Sequence, residues 1–250
     1  MSQETSPAPS SRSAAPLPLF GGVVSLSILV SLYLIFFHAQ AEALMGEVYR
    51  IFYFHVSSAM GALLLFFGSS LMSIAYLSMG AISGMRGLAR RADRLAWAMA
   101  EVGVVFGIVV LVTGPLWAKP AWGTFWTWEP RLTLTLLIVF LFVGYLVLRA
   151  YGGTDETGRR ISAGIAVIGG PAAYLVHIAV ELWQGGNHPQ VVTGEGQGLA
   201  TPEMQLTFGI TIACVFTFLA YLVHARYRAH ALQDQVEDLF LDLADLEAKP

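Results

Sequence analysis

The chain has 250 residues, 56% of them hydrophobic and only 12% charged, with a formal net charge of −3 and a mean hydropathy of +0.63. Soluble domains carry roughly a quarter of their residues as charges, so water is not the main solvent here, and several runs reach the ~20 apolar residues that cross a ~30 Å hydrocarbon layer. The single cysteine, Cys214, excludes an internal disulfide, a CxxC redox pair and a cysteine zinc site, and the lack of a basic tract excludes nucleic acid as a partner.

Residues 1–16 are rich in Ser, Pro and Ala around Arg12, a composition that cannot bury a core and reads as a disordered tail. The first apolar run spans 17–37. Ala39-Gln40-Ala41 after it resembles a signal-peptidase site, but 21 apolar residues exceed the ~7–15 of a signal core, so the run reads as an uncleaved first span. Further spans are predicted at about 57–79, 97–117, 132–150, 161–181 and 206–226, each bounded by charges, Gly or Pro. The expectation is an all-α polytopic membrane protein with a six-helix domain over 17–226. Arg12, Arg86, Arg90, Arg91, Arg94, Arg149, Arg159, Arg160, Arg226, Arg228 and Lys249 fall on one side, leaving Arg50, Lys119 and Arg131 on the other. The positive-inside rule then makes both termini cytoplasmic and puts loops 38–56, 118–131 and 182–205 outside. The tail, 227–250, carries Leu232, Val236, Leu239, Leu243 and Leu246 at alternating spacings of four and three among acidic residues, a short heptad stripe. It reads as a cytoplasmic amphipathic helix, either solvated and self-packed or docked on a partner.

The predicted outer loop 117–131 is the most distinctive stretch. Trp117, Trp122, Trp126 and Trp128 are four of the six tryptophans in the chain, set beside Lys119, Gly123, Glu129 and Arg131. Tryptophan collects at membrane interfaces as an anchoring belt. Concentrated in one loop, the same rings also build a shelf for a large flat apolar ligand, with Arg131 and Lys119 able to pair with acidic groups at its edge. Composition leaves both readings open.

The string Trp122-Gly-Thr-Phe-Trp126-Thr-Trp128-Glu-Pro-Arg131-Leu-Thr resembles the tryptophan-rich WWD signature, WGxxWxWD followed by xRLT, of the cytochrome c assembly family. Six spans and this length are similar to its CcmC branch, as are Phe52-Tyr-Phe-His55-Val-Ser-Ser-Ala and His177-Ile-Ala-Val180-Glu-Leu-Trp183 leading to His188, so the resemblance covers most of 45–225. Two departures are visible. Glu129 and Pro130 replace the Asp and Ala of the signature, and the stretch from Trp183 to His188 is one residue longer.

The resemblance implies haem b bound transiently as cargo near the outer leaflet, against the tryptophan loop, with one histidine from each flanking outer loop as axial ligand. His55 and His188 fit those positions, and topology alone predicts both on the same face as the tryptophans. Two imidazoles saturate the iron, which suits carriage better than oxygen chemistry. His177 and Glu181, one turn apart, form a metal site, an orienting pair or a structural hydrogen bond, and His177 is the substitute ligand. Lys119 and Trp183 complete the expected surroundings. His38 has nothing further to recommend it, and His224 and His230 read as snorkelling or solvated. By resemblance the partners are a CcmE-like haem chaperone, a CcmD-like small membrane protein and CcmA/CcmB-like ABC components in the bacterial inner membrane. The expectation is a haem handler and not an enzyme. The alternatives are a membrane haem-dependent quinone oxidoreductase, disfavoured because spans two, three, four and six offer no deep histidine, and a haem transporter.

Overall fold

The computed structural model describes residues 17–42, 45–151, 156–183 and 199–247. Six helices in it are long and apolar enough to cross a membrane: α1 (Leu17–Tyr33, continued by a π-type turn over Leu34–His38), α2 (Arg50–Gly80), α3 (Arg86–Trp122), α4 (Pro130–Tyr151), α5 (Glu156–Leu182) and α6 (Pro202–Glu247). The predicted all-helical, six-span architecture is therefore the observed one.

α2 is the hub. It packs on α3, α5 and α6, α4 closes against α3 and α5, and α1 lies along α6. Lipid removes the hydrophobic drive between spans, so close approach and interhelical hydrogen bonds carry the packing. The α2–α3–α4 seam shows this. A Cβ on Gly107 would stand 2.7 Å from Val139 Cγ2 and one on Gly103 2.9 Å from Phe66 Cε1, so a side chain at either position would push the helices apart. The space is taken by Phe66 and Phe142, stacked at 4.3 Å. Ser69 Oγ donates to the Ala96 carbonyl (2.8 Å), Ser70 Oγ to the Val167 carbonyl (3.0 Å) and Ser31 Oγ to Thr211 Oγ1 (3.1 Å), pinning α3, α5 and α1 in turn.

Each helix from α2 to α6 outruns its predicted span, α2, α3 and α6 by the most. α2 starts at Arg50 and not near residue 57: Tyr49, Phe52, Tyr53 and Ser57 are buried at helical spacing, while Arg50 and His55 dilute the apolar signal of the same turns. Arg50 binds the carbonyls of Ile35 and, at 3.2 Å, Ala39, and so caps the open end of the π-type turn. α3 runs through Pro115 and Pro120 to Trp122, so the expected loop shrinks to residues 123–129. α6 does not end near 226. It continues to Glu247 as one helix that contains the expected tail.

The arginine-rich end of the bundle is tied by a charge network. Buried Arg149 makes a two-pronged contact to buried Asp93 (3.0 and 2.8 Å), which also meets Arg159 (3.4 Å). The Arg149 guanidinium lies 4.5 Å over Trp97, whose other neighbour is the ring of His230, stacked at 3.7 Å. His230 Nε2 is 2.9 Å from Glu101, itself gripped by Arg226 at 2.7 Å. His230 is thus 1% exposed, which corrects the solvated reading: a helix that continues past the membrane surface carries it back against α3. His224 is exposed.

Candidate functional site

The opposite end is built on aromatic packing. Tyr49, Phe52 and Tyr53 of the α2 entrance, Ile35 and Ala39 after α1, Met204 and Phe208 of α6 and Trp117 of α3 form one buried cluster, with Trp122 packed against it. Phe52 stacks on Tyr49 at 4.8 Å and meets Phe208 at 5.2 Å.

His55 sits one turn further into α2 and faces α3. Its Nδ1 is 2.9 Å from Thr113 Oγ1, and that hydroxyl donates its single proton to the Val109 carbonyl at 2.7 Å. With its proton committed, the hydroxyl accepts, so Nδ1 carries the hydrogen and Nε2 the lone pair. Gly114 makes room for the ring: a Cβ there would stand 3.2 Å from His55 Cε1. Thr113 lies one turn before Trp117, so α3 places the hydroxyl and the indole on one face. The sequence reading missed Thr113. Its only signal was a hydroxyl four residues ahead of a tryptophan in an otherwise apolar run.

The tryptophans divide into two edge-to-face pairs, Trp117 with Trp122 at 5.6 Å and Trp126 with Trp128 at 5.8 Å. The first pair belongs to the helix end and the core. The second belongs to the short loop, where Trp128 is 76% exposed and Phe125 also faces outward. A single four-tryptophan shelf is therefore not what forms, because α3 extends far enough to draw Trp117 inward. The loop is held by its own ends. Gly123 at φ 76° closes α3 with its N–H on the Lys119 carbonyl (2.9 Å), and Lys119 Nζ folds back onto the Gly123 carbonyl (2.9 Å) and over Phe125 (5.3 Å). Thr124 Oγ1 bridges to the Trp126 carbonyl at 3.2 Å. Glu129 opens α4 by accepting the Thr133 N–H at 3.0 Å, and Pro130 takes the first helical position, where a missing N–H costs nothing.

Several donors here are buried without a hydrogen-bond partner among the described residues: Trp117 Nε1, Trp126 Nε1, Thr127 Oγ1 and the Tyr49 and Tyr53 hydroxyls. Burying such groups unpaired costs about 1–3 kcal/mol each, so an acceptor brought to this end would gain donors already stripped of water. Arg131, half-buried in the first turn of α4, makes no salt bridge among the described residues. Exposed Trp128 and Phe125 offer ring faces to a planar apolar molecule, and half-buried Arg131 is the cation that follows them in the first turn of α4.

His188 lies outside the described residues. His177 and Glu181 are on one face of α5, as expected, and that face is exposed; Trp183 just beyond is exposed too. No group of three or more His, Cys, Asp or Glu is poised for a bare metal ion among the described residues. Nor do two described histidines face each other across the bundle, the arrangement an intramembrane bis-histidine electron carrier uses. His55 and His230 lie at opposite ends, and His177 points outward.

Comparison with known proteins bears on this end directly. The family model described as CcmC, Heme exporter protein C, matches residues 4–241. The Heme exporter protein C of Escherichia coli K12 is 36% identical over 147 residues, which cover 58% of this chain and 56% of that protein. The protein of the same name from Haemophilus influenzae is 28% identical over 203 residues, 80% of this chain and 78% of the relative. That from Bradyrhizobium diazoefficiens is 30% identical over 197 residues, 78% and 71% of the two chains. The chain thus aligns with little more than half the length of the Escherichia coli relatives and with more than two-thirds of the other two.

Proposed function

The chain belongs to the CcmC, Heme exporter protein C, family, and from that premise we propose that it holds haem b as cargo at its tryptophan-rich end and passes it to a CcmE-like haem chaperone for cytochrome c assembly. The observation that carries this reading is His55. Its Nδ1–H is engaged by Thr113, so its Nε2 presents a lone pair of the kind that binds haem iron. Around it, Trp126 and Trp128 supply the apolar faces for the macrocycle, and Arg131, Trp126 Nε1 and Thr127 Oγ1 supply donors for its propionates. Trp117 and Trp122 hold the floor, Lys119 and Glu129 set the loop ends, and His188 is the second axial ligand, with His177 the substitute beside Glu181.

In this reading the residues bind and orient cargo, and the role is that of an assembly factor rather than an enzyme, supported by the membership of the Heme exporter protein C family. Positive charge gathered at the opposite end supports a topology with the tryptophan loop on the periplasmic side of a bacterial inner membrane and both termini in the cytoplasm. The remaining partners are a CcmD-like small membrane protein and CcmA/CcmB-like ABC components.

The test is co-expression with the chaperone, purification, and the Soret absorbance per protein for His55→Ala and His188→Ala. Loss of retained haem in both variants is expected. Unchanged retention in both would refute bis-histidine ligation. Loss in His55→Ala alone would send the second ligand to His177, to be checked by His177→Ala.

A further inference from the structure

α6 is 46 residues long, about 69 Å at 1.5 Å per residue, more than twice the hydrocarbon thickness. Its last five turns leave the arginine-rich end with a defined rotation. One face is bound to the bundle: Asp234 meets Arg159 at 3.2 Å and Arg94 at 3.4 Å, Asp238 meets Arg90 at 3.6 Å, and His230 is clamped between Trp97 and Glu101. At about 100° per residue the heptad stripe, Leu232, Val236, Leu239, Leu243 and Leu246, points about 180° away from those contacts. All five are 51–65% exposed. The ion pairs therefore hold an apolar seam outward, where a loose tail would have turned it inward.

Charge decides what covers the seam. Between 232 and 247 the ionisable residues are Asp234, Glu237, Asp238, Asp242, Asp245 and Glu247, all acidic. Asp242 and Glu247 flank the seam on its two sides, and neither they nor Asp245 has an ion pair among the described residues. A second copy would bring like charges together along both flanks. An anionic lipid surface is repelled for the same reason. The Ser- and Pro-rich stretch 1–16 has no apolar stripe to offer. We propose that the seam docks a basic amphipathic helix of another protein, one with leucine-type residues at heptad spacing flanked by Lys or Arg, on the side of the membrane that holds the arginine-rich end. The contact is two heptads long, so it is modest and sensitive to salt. It is independent of the haem reading.

The experiment places a photo-crosslinking amino acid at Leu239 of the full chain in its native membranes, with a second at Asp238 as a control on the bound face, and sequences the crosslinked peptides. The expected adduct from position 239, absent from 238, is a helical segment of a different chain with basic residues flanking its apolar positions. Its yield falls about tenfold in the Asp242→Lys/Glu247→Lys variant, and also at ~1 M salt, where charge–charge attraction is screened within about 3 Å. These exposed substitutions leave the thermal midpoint unchanged, which separates lost docking from lost folding. A lipid adduct, a second copy, a segment without basic residues, no adduct, or a yield indifferent to charge reversal would each overturn the proposal.

Discussion

The two ends of the bundle handle buried polarity in opposite ways. At the arginine-rich end the charged groups are matched on folding: Asp93 with Arg149 and Arg159, Glu101 with Arg226 and His230, Asp234 with Arg94 and Arg159. The tryptophan-rich end keeps its own donors waiting, with two indole N–H groups and three hydroxyls buried and unpartnered among the described residues. The arginine-rich end pairs its charges within the chain, while the buried Ser73 and Tyr76 hydroxyls lack a hydrogen-bond partner among the described residues. The tryptophan-rich end leaves donors that the proposed cargo would meet.

The sharpest way to break that contrast is to remove one half of the matched pair. Arg149→Met leaves the Asp93 carboxylate buried with only Arg159 beside it, and loss of one partner of a buried ion pair costs about 3–5 kcal/mol. The thermal midpoint of the detergent-purified protein should drop further than for any substitution in the exposed loop. Asp93→Leu combined with Arg149→Met should recover much of the loss, since an apolar pair leaves no orphan charge. Failure of the double variant to recover would mean that Arg149 acts through Trp97 and Tyr145, over whose rings it also lies, and not through Asp93.

Trp117 and Trp128 sharpen the comparison within the tryptophan end. Trp117→Ala empties a place in the buried cluster and should cost about 3 kcal/mol of stability, as large-to-small core changes do. It should release haem only in proportion to the unfolding, read as parallel loss of the Soret band and of the folded fraction.

The fold was largely legible because its signals are long. Twenty-residue apolar runs and the lopsided placement of eleven cations carry enough information to count the spans. The boundaries were not, since the residues that end an apolar run need not end a helix. His55 and Arg50 look like loop residues, yet they sit in the first turns of α2, stabilised by Thr113 and by the carbonyls of Ile35 and Ala39. For the candidate site the sequence offered residue types but not their arrangement. That Trp117 turns inward and Trp128 outward follows from how far α3 runs, which depends on Gly123 and Lys119 closing it. His230 was misread because a histidine beyond a span looks solvated until the opposing Trp97 and Glu101 are known.

Thr113→Val tests the tautomer of His55 with a smaller expected effect. Valine keeps the shape and removes the acceptor, so Nδ1–H is left without its partner and the lone pair is no longer fixed on Nε2. Groups that orient a ligating histidine typically change metal affinity by about 10–100-fold. Haem retention should fall by that order, Thr113→Ser should restore it, and imidazole ¹⁵N shifts of haem-free protein should show protonation at Nδ1 in the parent and a mixture in the valine variant. Equal ¹⁵N shifts in the two would refute the tautomer argument whatever the haem content.

Trp128→Ala carries the smallest effect on the fold and the most specific one on the site. The ring is 76% exposed and touches Trp126 only edge to face, so its removal should leave the thermal midpoint within about 0.5 kcal/mol of the parent, as surface changes do. An aromatic contact is worth about 0.5–1.5 kcal/mol, which corresponds to a loss of haem retention of roughly two- to tenfold. Trp128→Phe should keep most of it, since stacking needs a ring and not the indole N–H. The comparison with Trp117→Ala decides what the loop is for. If the exposed ring is an interfacial anchor, the alanine variant keeps its haem and loses only its seating in the bilayer; if it is a face for the cargo, haem leaves while the fold stays. The two tryptophans, eleven residues apart on one short stretch of chain, then report separately on the part of this end that folding completes and the part that binding completes.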